Sequence, residues 1–253
     1  MSKIIAMASS VRFVLEGEET YVIDGRSRRL RAGEFIIVDE GVESVAKTAA
    51  DATGFCVYLP FHAPDGARGF LGSPAIIGSS IDPLATLIRA YASAVAAGEA
   101  RTVPENLIGL VSNGVEDFMC GFSKKRARLS HARGTSKTDI VERVERVRAF
   151  MHAHADTPLT LDDLAKEACL SRFHLARTFS EVHAVPPLRY HRSLRMEAAA
   201  KKLAHATISP TELAADLGYA TLSAFTRAFR RRYGVPPSEY ASQPMLIGRQ
   251  TVE

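Results

Sequence analysis

The rear half of the chain contains one unit written twice. Leu164-Ala165 matches Leu213-Ala214 at an offset of 49, and the segment from Leu175 to Tyr190 matches Phe225 to Tyr240 at an offset of 50. Within the second alignment Arg177 meets Arg227, Phe179 meets Phe229, Val185-Pro186-Pro187 meets Val235-Pro236-Pro237, and Tyr190 meets Tyr240. Self-similarity of this kind marks a supersecondary unit used more than once, so the rear half must fold as two like modules. The change of offset puts one extra residue in the second turn, between Gly218 and Phe225, where a loop tolerates insertion.

Each copy has the layout of a helix-turn-helix. In the first, Leu161, Leu164 and Ala165 line a short helix, Cys169-Leu170-Ser171 makes the turn, and Phe173 to Val182 forms a second helix packed through Leu175 and Phe179. In the second, Thr211 to Leu217 is the first helix, Gly218 supplies a turn position where left-handed backbone costs little, and Leu222 to Tyr233 is the second helix. Thr160, and Ser209 or Thr207, are the expected N-caps. The faces opposite the cores carry hydrogen-bond donors: Arg172, His174 and Arg177 in one copy, and Ser223, Thr226, Arg227, Arg230 and Arg231 in the other. Arginine pairs bidentately with guanine in a major groove or sits on phosphate, and spacing alone does not assign which. A solvated face of a helical bundle is the bland reading of Arg230-Arg231-Arg232 taken alone; arginine at equivalent positions of both copies argues for double-stranded DNA as partner.

Charge divides unevenly along the 253 residues. Residues 1–123 hold 10 Lys and Arg against 15 Asp and Glu, whereas 124–137 hold Lys124, Lys125, Arg126, Arg128, Arg133 and Lys137 with no acid. That basic stretch, with Gly134 and small hydroxyl residues, reads as a linker over 124–138 between domains at 1–123 and 139–243. In the front domain, Val11 to Leu15, Thr20 to Ile23, Phe35 to Val38 and Phe55 to Leu59 read as strands, with Asp24-Gly25 a hairpin signal, so an antiparallel β-barrel or sandwich is expected. Two helices follow: Leu84, Leu87, Ile88, Tyr91 and Val95 recur at helical spacing up to Gly98, and Leu107 to Phe118 follow Pro104. After the linker, Ile140, Val141, Val144, Val147 and Met151 form another apolar stripe.

Residues from about Ile140 to Tyr240 resemble the DNA-binding domain of the AraC/XylS family. The resemblance is carried by LTLDDLAKEACLSRFHLARTFSEVHAVPPLRYHRSLRMEAAAKKLAHA and SPTELAADLGYATLSAFTRAFRRRYGVPPSEY. It implies two helix-turn-helix subdomains joined by a long helix, Pro187 to Ala204, in which Arg195, Ala199 and Leu203 fit the pattern. It also implies base-reading positions at Phe173, Ala176 and Arg177 with Arg172 nearby, and at Leu222, Ser223, Thr226 and Arg227. Ala176 and Leu222 cannot hydrogen-bond a base edge, so reading there is limited to thymine methyls. Phe173 packs either on such a methyl or in the core. The front domain, through YVIDGRSRRLRAGEFIIVDEGV, resembles the cupin-like N-terminal domains of the same family, which bind a small effector or mediate dimerisation. The resemblance thus implies an α+β chain: a cupin-like antiparallel β-barrel with two helices, then an all-α DNA-binding domain. Its implied partners are promoter DNA, a small-molecule effector, a second copy of the chain and, for an activator, RNA polymerase.

Several other classes fit poorly. Residues 1–123 contain a single histidine, His62, too few for a two-histidine metal site of a cupin enzyme, so neither catalytic activity nor a metal or cofactor is expected. His152 and His154 stand two positions apart on a helix and point different ways, as surface groups. Cys56, Cys120 and Cys169 are widely separated and read as buried thiols of a reducing compartment. A thiol-responsive or effector-independent regulator is the competing reading, although Cys56 has no adjacent base to activate it. A nucleoid protein would bind all sequences alike. No stretch has the length of a membrane span and no leader is apparent, so a cytoplasmic location is expected. Arg12, Tyr21, Tyr58 and His62 are the front-domain side chains singled out as effector contacts, each with a structural role as its alternative.

Overall fold

The computed structural model describes residues 2–5, 8–59, 73–96, 106–130, 135–205 and 208–242. The chain forms two compact units, Met1–Ala149 with Glu181–His183, and Phe150–Ser180 with Ala184–Glu253. Gly98, Pro104, Gly134, Thr207 and His62, to which the sequence assigned helix ends, a linker glycine, a cap and an effector contact, lie outside the described residues.

Among the described residues the first unit opens with eight strands: β1 (Ser2–Ile5), β2 (Ser10–Glu16), β3 (Glu18–Ile23), β4 (Arg26–Arg31), β5 (Phe35–Val38), β6 (Glu43–Thr48), β7 (Thr53–Tyr58) and β8 (Ala75–Gly78). They make two antiparallel four-stranded sheets, ordered β1-β6-β3-β4 and β7-β2-β5-β8. Among the described residues no ladder joins the two, so the expected cupin-like barrel is an open sandwich rather than a closed cylinder. Alternation along each strand sorts its side chains between two faces. Val14, Ile36, Val38 and Ala75 of one sheet meet Tyr21, Ile23 and Leu30 of the other in a single apolar cluster. The hairpin at Asp24-Gly25 turns with both residues at positive φ, 51° and 71°, as a two-residue type I′ turn demands.

Helices α1 (Pro83–Ala96) and α2 (Leu107–Arg128) cover the other face of the β2-containing sheet. Phe35 of β5 packs edge-on against Phe118, with ring centroids 5.1 Å apart, and Phe55 of β7 lies 5.8 Å from Tyr91. Gly78, which pairs with Phe35, is obligatory there: a Cβ would lie 1.9 Å from the Phe35 ring.

The basic stretch expected as a linker has regular structure for much of its length. Lys124 to Arg128 are the last turn of α2, and α3 (Thr135–Ala153) begins before the stretch ends. Up to Ala149, α3 belongs to the first unit. Glu142 takes both Arg28 Nη1 and the Ile77 backbone N–H at 2.9 Å, and Arg148 pairs with Asp82 at 3.1 Å and with Glu145 at 2.8 Å. The stripe Ile140, Val141, Val144, Val147 and Met151 is buried throughout. The linker signal was charge and small residues, and both also suit the solvated face of a helix end.

In the second unit come α4 (Leu161–Ala168), α5 (Arg172–His183, whose last three residues count with the first unit), α6 (Pro187–Ala204), α7 (Pro210–Asp216), α8 (Leu222–Tyr233) and α9 (Pro237–Ser242). The long helix runs over the residues that the family resemblance gave it. Met196, Ala199, Ala200 and Leu203 of α6 form one core with Leu213, Ala214, Phe225 and Phe229. Among the described residues no helix is long and apolar enough to cross a membrane.

Candidate nucleic-acid interface

The first helix-turn-helix is α4 and α5. Thr160 caps α4 in a capping box: its hydroxyl accepts the Asp163 N–H at 3.2 Å, and Asp163 accepts the Thr160 N–H at 2.9 Å. These bonds hold the Asp163 carboxyl below its ordinary range. Cys169 ends the helix in the left-handed region at φ 50°, and the next N–H, of Leu170, returns to Ala165 O at 3.0 Å. Ser171 then caps α5 by accepting the His174 N–H at 3.2 Å. Leu175, Thr178, Phe179 and Val182 are buried. The opposite stripe carries Arg172, Phe173 and Arg177 exposed and Ala176 half-buried. Phe173 is 79 % exposed, so its core alternative fails. Arg172 is engaged by Asp162 at 3.2 Å.

The second unit repeats this plan in α7 and α8. Ser209 and Glu212 form its capping box, Gly218 turns the chain at φ 76°, and Tyr219 N–H returns to Ala214 O at 2.9 Å. Thr221 caps α8 by accepting the Ala224 N–H at 3.1 Å. With Phe225 and Phe229 buried, the outward stripe presents Leu222, Ser223, Arg227, Arg230 and Arg231 exposed and Thr226 half-buried. Leu222 is 42 % exposed and offers only apolar contact. Arg227, Arg230 and Arg231 have no ion-pair partner among the described residues. Arg232 differs: it pairs with Glu197 of α6 and lies over the Tyr233 ring. That partner is 35 residues away in sequence, so the run Arg230-Arg231-Arg232 hides the distinction.

Behind the two helix-turn-helix units, α6 is anchored by polar contacts that spacing could not reveal. Arg195 Nη2 donates to Asp216 O at 2.5 Å, at the end of α7. His191, buried, bonds His154 O at 3.1 Å, and His152 bonds the Tyr190 hydroxyl at 2.9 Å. His152 and His154 are therefore half-buried structural groups, not the surface groups expected.

The family model described as a helix-turn-helix domain matches residues 164–243. The regulatory protein SoxS of Escherichia coli K12 is 35 % identical over 92 residues, which are 36 % of this chain and 86 % of SoxS. The chain belongs to the AraC/XylS family. The HTH-type transcriptional regulator GbdR of Pseudomonas aeruginosa is 32 % identical over 122 residues, 48 % of this chain, and the match spans only 32 % of that longer relative. A crystal structure of a probable AraC family regulator from Rhodopseudomonas palustris covers 40 % of the chain at 22 % identity, with a TM-score of 0.37.

Outside the two helix-turn-helix units, this AraC/XylS chain places Arg12, Tyr21 and Tyr58 in its front unit as follows. Arg12 and Tyr21 are buried, with the guanidinium 5.3 Å from the Tyr21 ring centroid and Arg12 Nη1 3.4 Å from Ser44 Oγ. Tyr58 is 62 % exposed. Ser10, Ser44 and Glu19 adjoin them and escaped notice; the available signal was a charged residue at an inward position of an apolar strand.

All three cysteines are exposed, which corrects the expectation that they are buried. Cys169 sits in a turn and Cys56 on an edge strand, positions that apolar neighbours in sequence do not disclose. Partial burial among its neighbours pushes the Cys56 thiol up, against the pull of Arg12, the opposite of activation.

Proposed function

We propose that the chain is a sequence-specific, DNA-binding transcriptional regulator whose α5 and α8 enter successive major grooves on one face of a bipartite site. The carrying observation is the outward stripe of α8, where Arg227, Arg230 and Arg231 stand exposed without an acidic partner among the described residues while Phe225 and Phe229 fix the helix from behind. Unpaired guanidinium groups on a rigid helix suit base edges and phosphates. In this reading Arg227 and Arg177 read bases, Ser223 and Thr226 assist, Arg230 and Arg231 hold phosphate, and Arg172 contributes after leaving Asp162. Phe173, Ala176 and Leu222 contact thymine methyls or sugar.

The functional division is a front domain at 1–123, a basic connection at 124–138 and a DNA-binding domain at 139–243. The front domain takes a small effector between its sheets and dimerises through α1 and α2. A groove of about 450 Å³ beside Leu84, Leu87, Leu110 and Phe118, with Ile108 and Leu110 exposed nearby, supports the dimer. An activator would also touch RNA polymerase. The chain acts by binding and catalyses no reaction.

Selection of bound fragments from random DNA by the full chain, followed by competition with unrelated DNA at moderate salt, tests this. Enrichment of a bipartite motif with half-sites about one helical turn apart supports the reading. Equal affinity for all sequences removes it.

A further inference from the structure

The second compact unit holds a cavity of about 370 Å³ beside α6, and none of its lining residues belongs to the outward stripes of α5 and α8. Leu188, His191, Arg192, Arg195 and Met196 recur at spacings of three and four, so a single face of α6 lines it. The other lining residues come from both helix-turn-helix units. Pro158-Leu159 stand immediately before Thr160, the N-cap of α4, and Leu217-Gly218-Tyr219 form the turn that leads into α8. The volume falls within the range of small-ligand sites, roughly 300–1,000 Å³. It is also open to solvent, since Pro158, Leu188, Arg192 and Gly218 are exposed.

Its charge is positive and unmet. Arg192 makes no ion pair among the described residues. Arg195 is half-buried; its Nη2 donates to Asp216 O, and its Nε is buried without a partner. Asp156 and Asp216 are the acids whose charges reach Arg195, yet neither carboxylate pairs with it, and no acid lines the cavity among the described residues. Arg192 is near enough that its charge adds to burial in pushing Arg195 down. Burial also pushes His191 towards its neutral form, so the charge here rests on the two guanidinium groups. Leu159, Leu188 and Leu217 give the same cavity an apolar part.

We propose that this cavity binds a small organic anion with an apolar body. Arg192 and Arg195 take its carboxylate or phosphate group, and its apolar part lies on Leu159, Leu188 and Leu217. A guanidinium offers paired donors that match two anionic oxygens, and an anion beside two like charges relieves their repulsion. The apolar lining favours a free organic anion over a backbone phosphate of DNA, which has no apolar body to cover it. An occupant touches the entry to α4 and the turn before α8 together, so it bears on the spacing of the two recognition helices. The site is independent of any effector held by the front domain.

The test titrates the full chain with benzoate, phenylacetate and octanoate, each against its neutral amide, and with inorganic phosphate as the head group alone. Calorimetry gives the affinity and amide NMR the place. At least one carboxylate is expected to bind and to shift the amide signals of Leu188, Gly218 and Tyr219, while its amide does neither. Arg192→Ala is expected to weaken that binding about ten-fold or more, and Arg192→Lys less, because an ammonium keeps the charge but not the paired donors. Leu188→Ala should weaken it about three-fold or more through lost apolar contact. Arg192 is exposed and unpaired among the described residues, so Arg192→Ala should melt with the wild type when no ligand is present. At fixed salt the carboxylate should change the DNA affinity of the wild type several-fold and leave that of Arg192→Ala unchanged.

No binding by any of the three carboxylates, shifts confined to residues 1–149, or binding indifferent to Arg192→Ala overturns the proposal. Inorganic phosphate bound as tightly as the carboxylates overturns it too, as does an Arg192→Ala chain whose sole defect is weaker binding to all DNA. That last result would assign the two arginines to backbone phosphate. Wild-type DNA affinity that ignores a carboxylate bound at this place overturns the bearing on helix spacing.

Discussion

In the first helix-turn-helix the turn passes through Cys169 at φ 50° and the second helix ends on Ala184 at φ 58°; the equivalent positions in the second unit are Gly218 at φ 76° and Gly234 at φ 80°. The same two backbone positions are left-handed in both copies, so the requirement belongs to the fold and the residue choice to the copy. A side chain in that region costs roughly 1–2 kcal/mol, which the first unit bears twice and the second avoids. The outward faces differ in the opposite sense. In α8 three arginines lack a counter-charge among the described residues, whereas in α5 Arg172 is paired with Asp162, and Glu181, where α8 has Arg231, bonds Ser130 through its backbone N–H at 3.3 Å and its hydroxyl at 3.2 Å. The first unit is the more strained in its backbone and the more satisfied on its surface. The second is relaxed in its backbone and holds more uncommitted positive charge.

The largest effects should be shared, because both cores hang on one equivalent ring. Phe179 and Phe229 are fully buried; Phe179 meets Tyr190 at 5.6 Å, and Phe229 meets Phe225, Tyr233 and Tyr240 at 5.6, 4.6 and 5.3 Å. Phe179→Ala and Phe229→Ala should each cost about 3–5 kcal/mol in denaturant unfolding. A loss near zero in either would break the structural equivalence of the copies.

Affinity for DNA should divide them. Arg227→Ala is expected to cost about 1–3 kcal/mol with relaxed preference at one base pair, and Arg177→Ala the same in the other half-site. Replacing Arg230 and Arg231 together by Ala should weaken binding to all sequences alike and lower the salt slope by about 2. Arg232→Ala should change little, since its charge is already met by Glu197. Binding titrations at several salt concentrations measure all four. An Arg232→Ala loss equal to that of its neighbours would reassign the ion pair as expendable on DNA.

What the sequence made legible follows periodicity. The repeat, the long helix and the caps Thr160 and Ser209 were readable because apolar spacing and capping chemistry are local. Strands β4 and β6 were not: RSRRLR offers a single buried apolar residue, Leu30, and ESVAKT has only Val45 and Ala46 as apolar residues, between Glu43 and Lys47. β1 and β8 also passed unread, each only four residues long. At the candidate site the outward arginines were legible as residues but not as charges. Arg172 and Arg232 are quenched by acids 10 and 35 residues away, and Arg12 stands out only once strand register shows which face it shares.

Exchanging the left-handed residues tests the backbone half of the comparison at a smaller scale. Gly234→Ala should destabilise the chain by about 1 kcal/mol, and Ala184→Gly should stabilise it by about 0.5–1 kcal/mol, the relieved strain less the entropy glycine loses. Gly218→Ala and Cys169→Gly should follow the same signs. Thermal unfolding reads all four, and a destabilising Ala184→Gly would show that the first copy does not carry the strain assigned to it.

The smallest expected effect is one on which the copies should agree. Asp163 and Glu212 occupy the same capping-box position, and both carboxyls lie below their ordinary range because Thr160 and Ser209 hydrogen-bond the charged form. A carboxyl lowered by folding stabilises the native chain above its unfolded range, and that contribution is lost as pH falls through the folded value. Melting temperature measured from neutral pH down through the carboxylate range should therefore fall less steeply in Asp163→Asn and in Glu212→Gln than in the wild type. Both groups are exposed, so each change should be slight and shrink with added salt. Near-equal changes in the two variants would mean that the copies differ in strain and outward charge but not in how their first helices are capped. A flat response in one alone would extend the asymmetry to the helix starts.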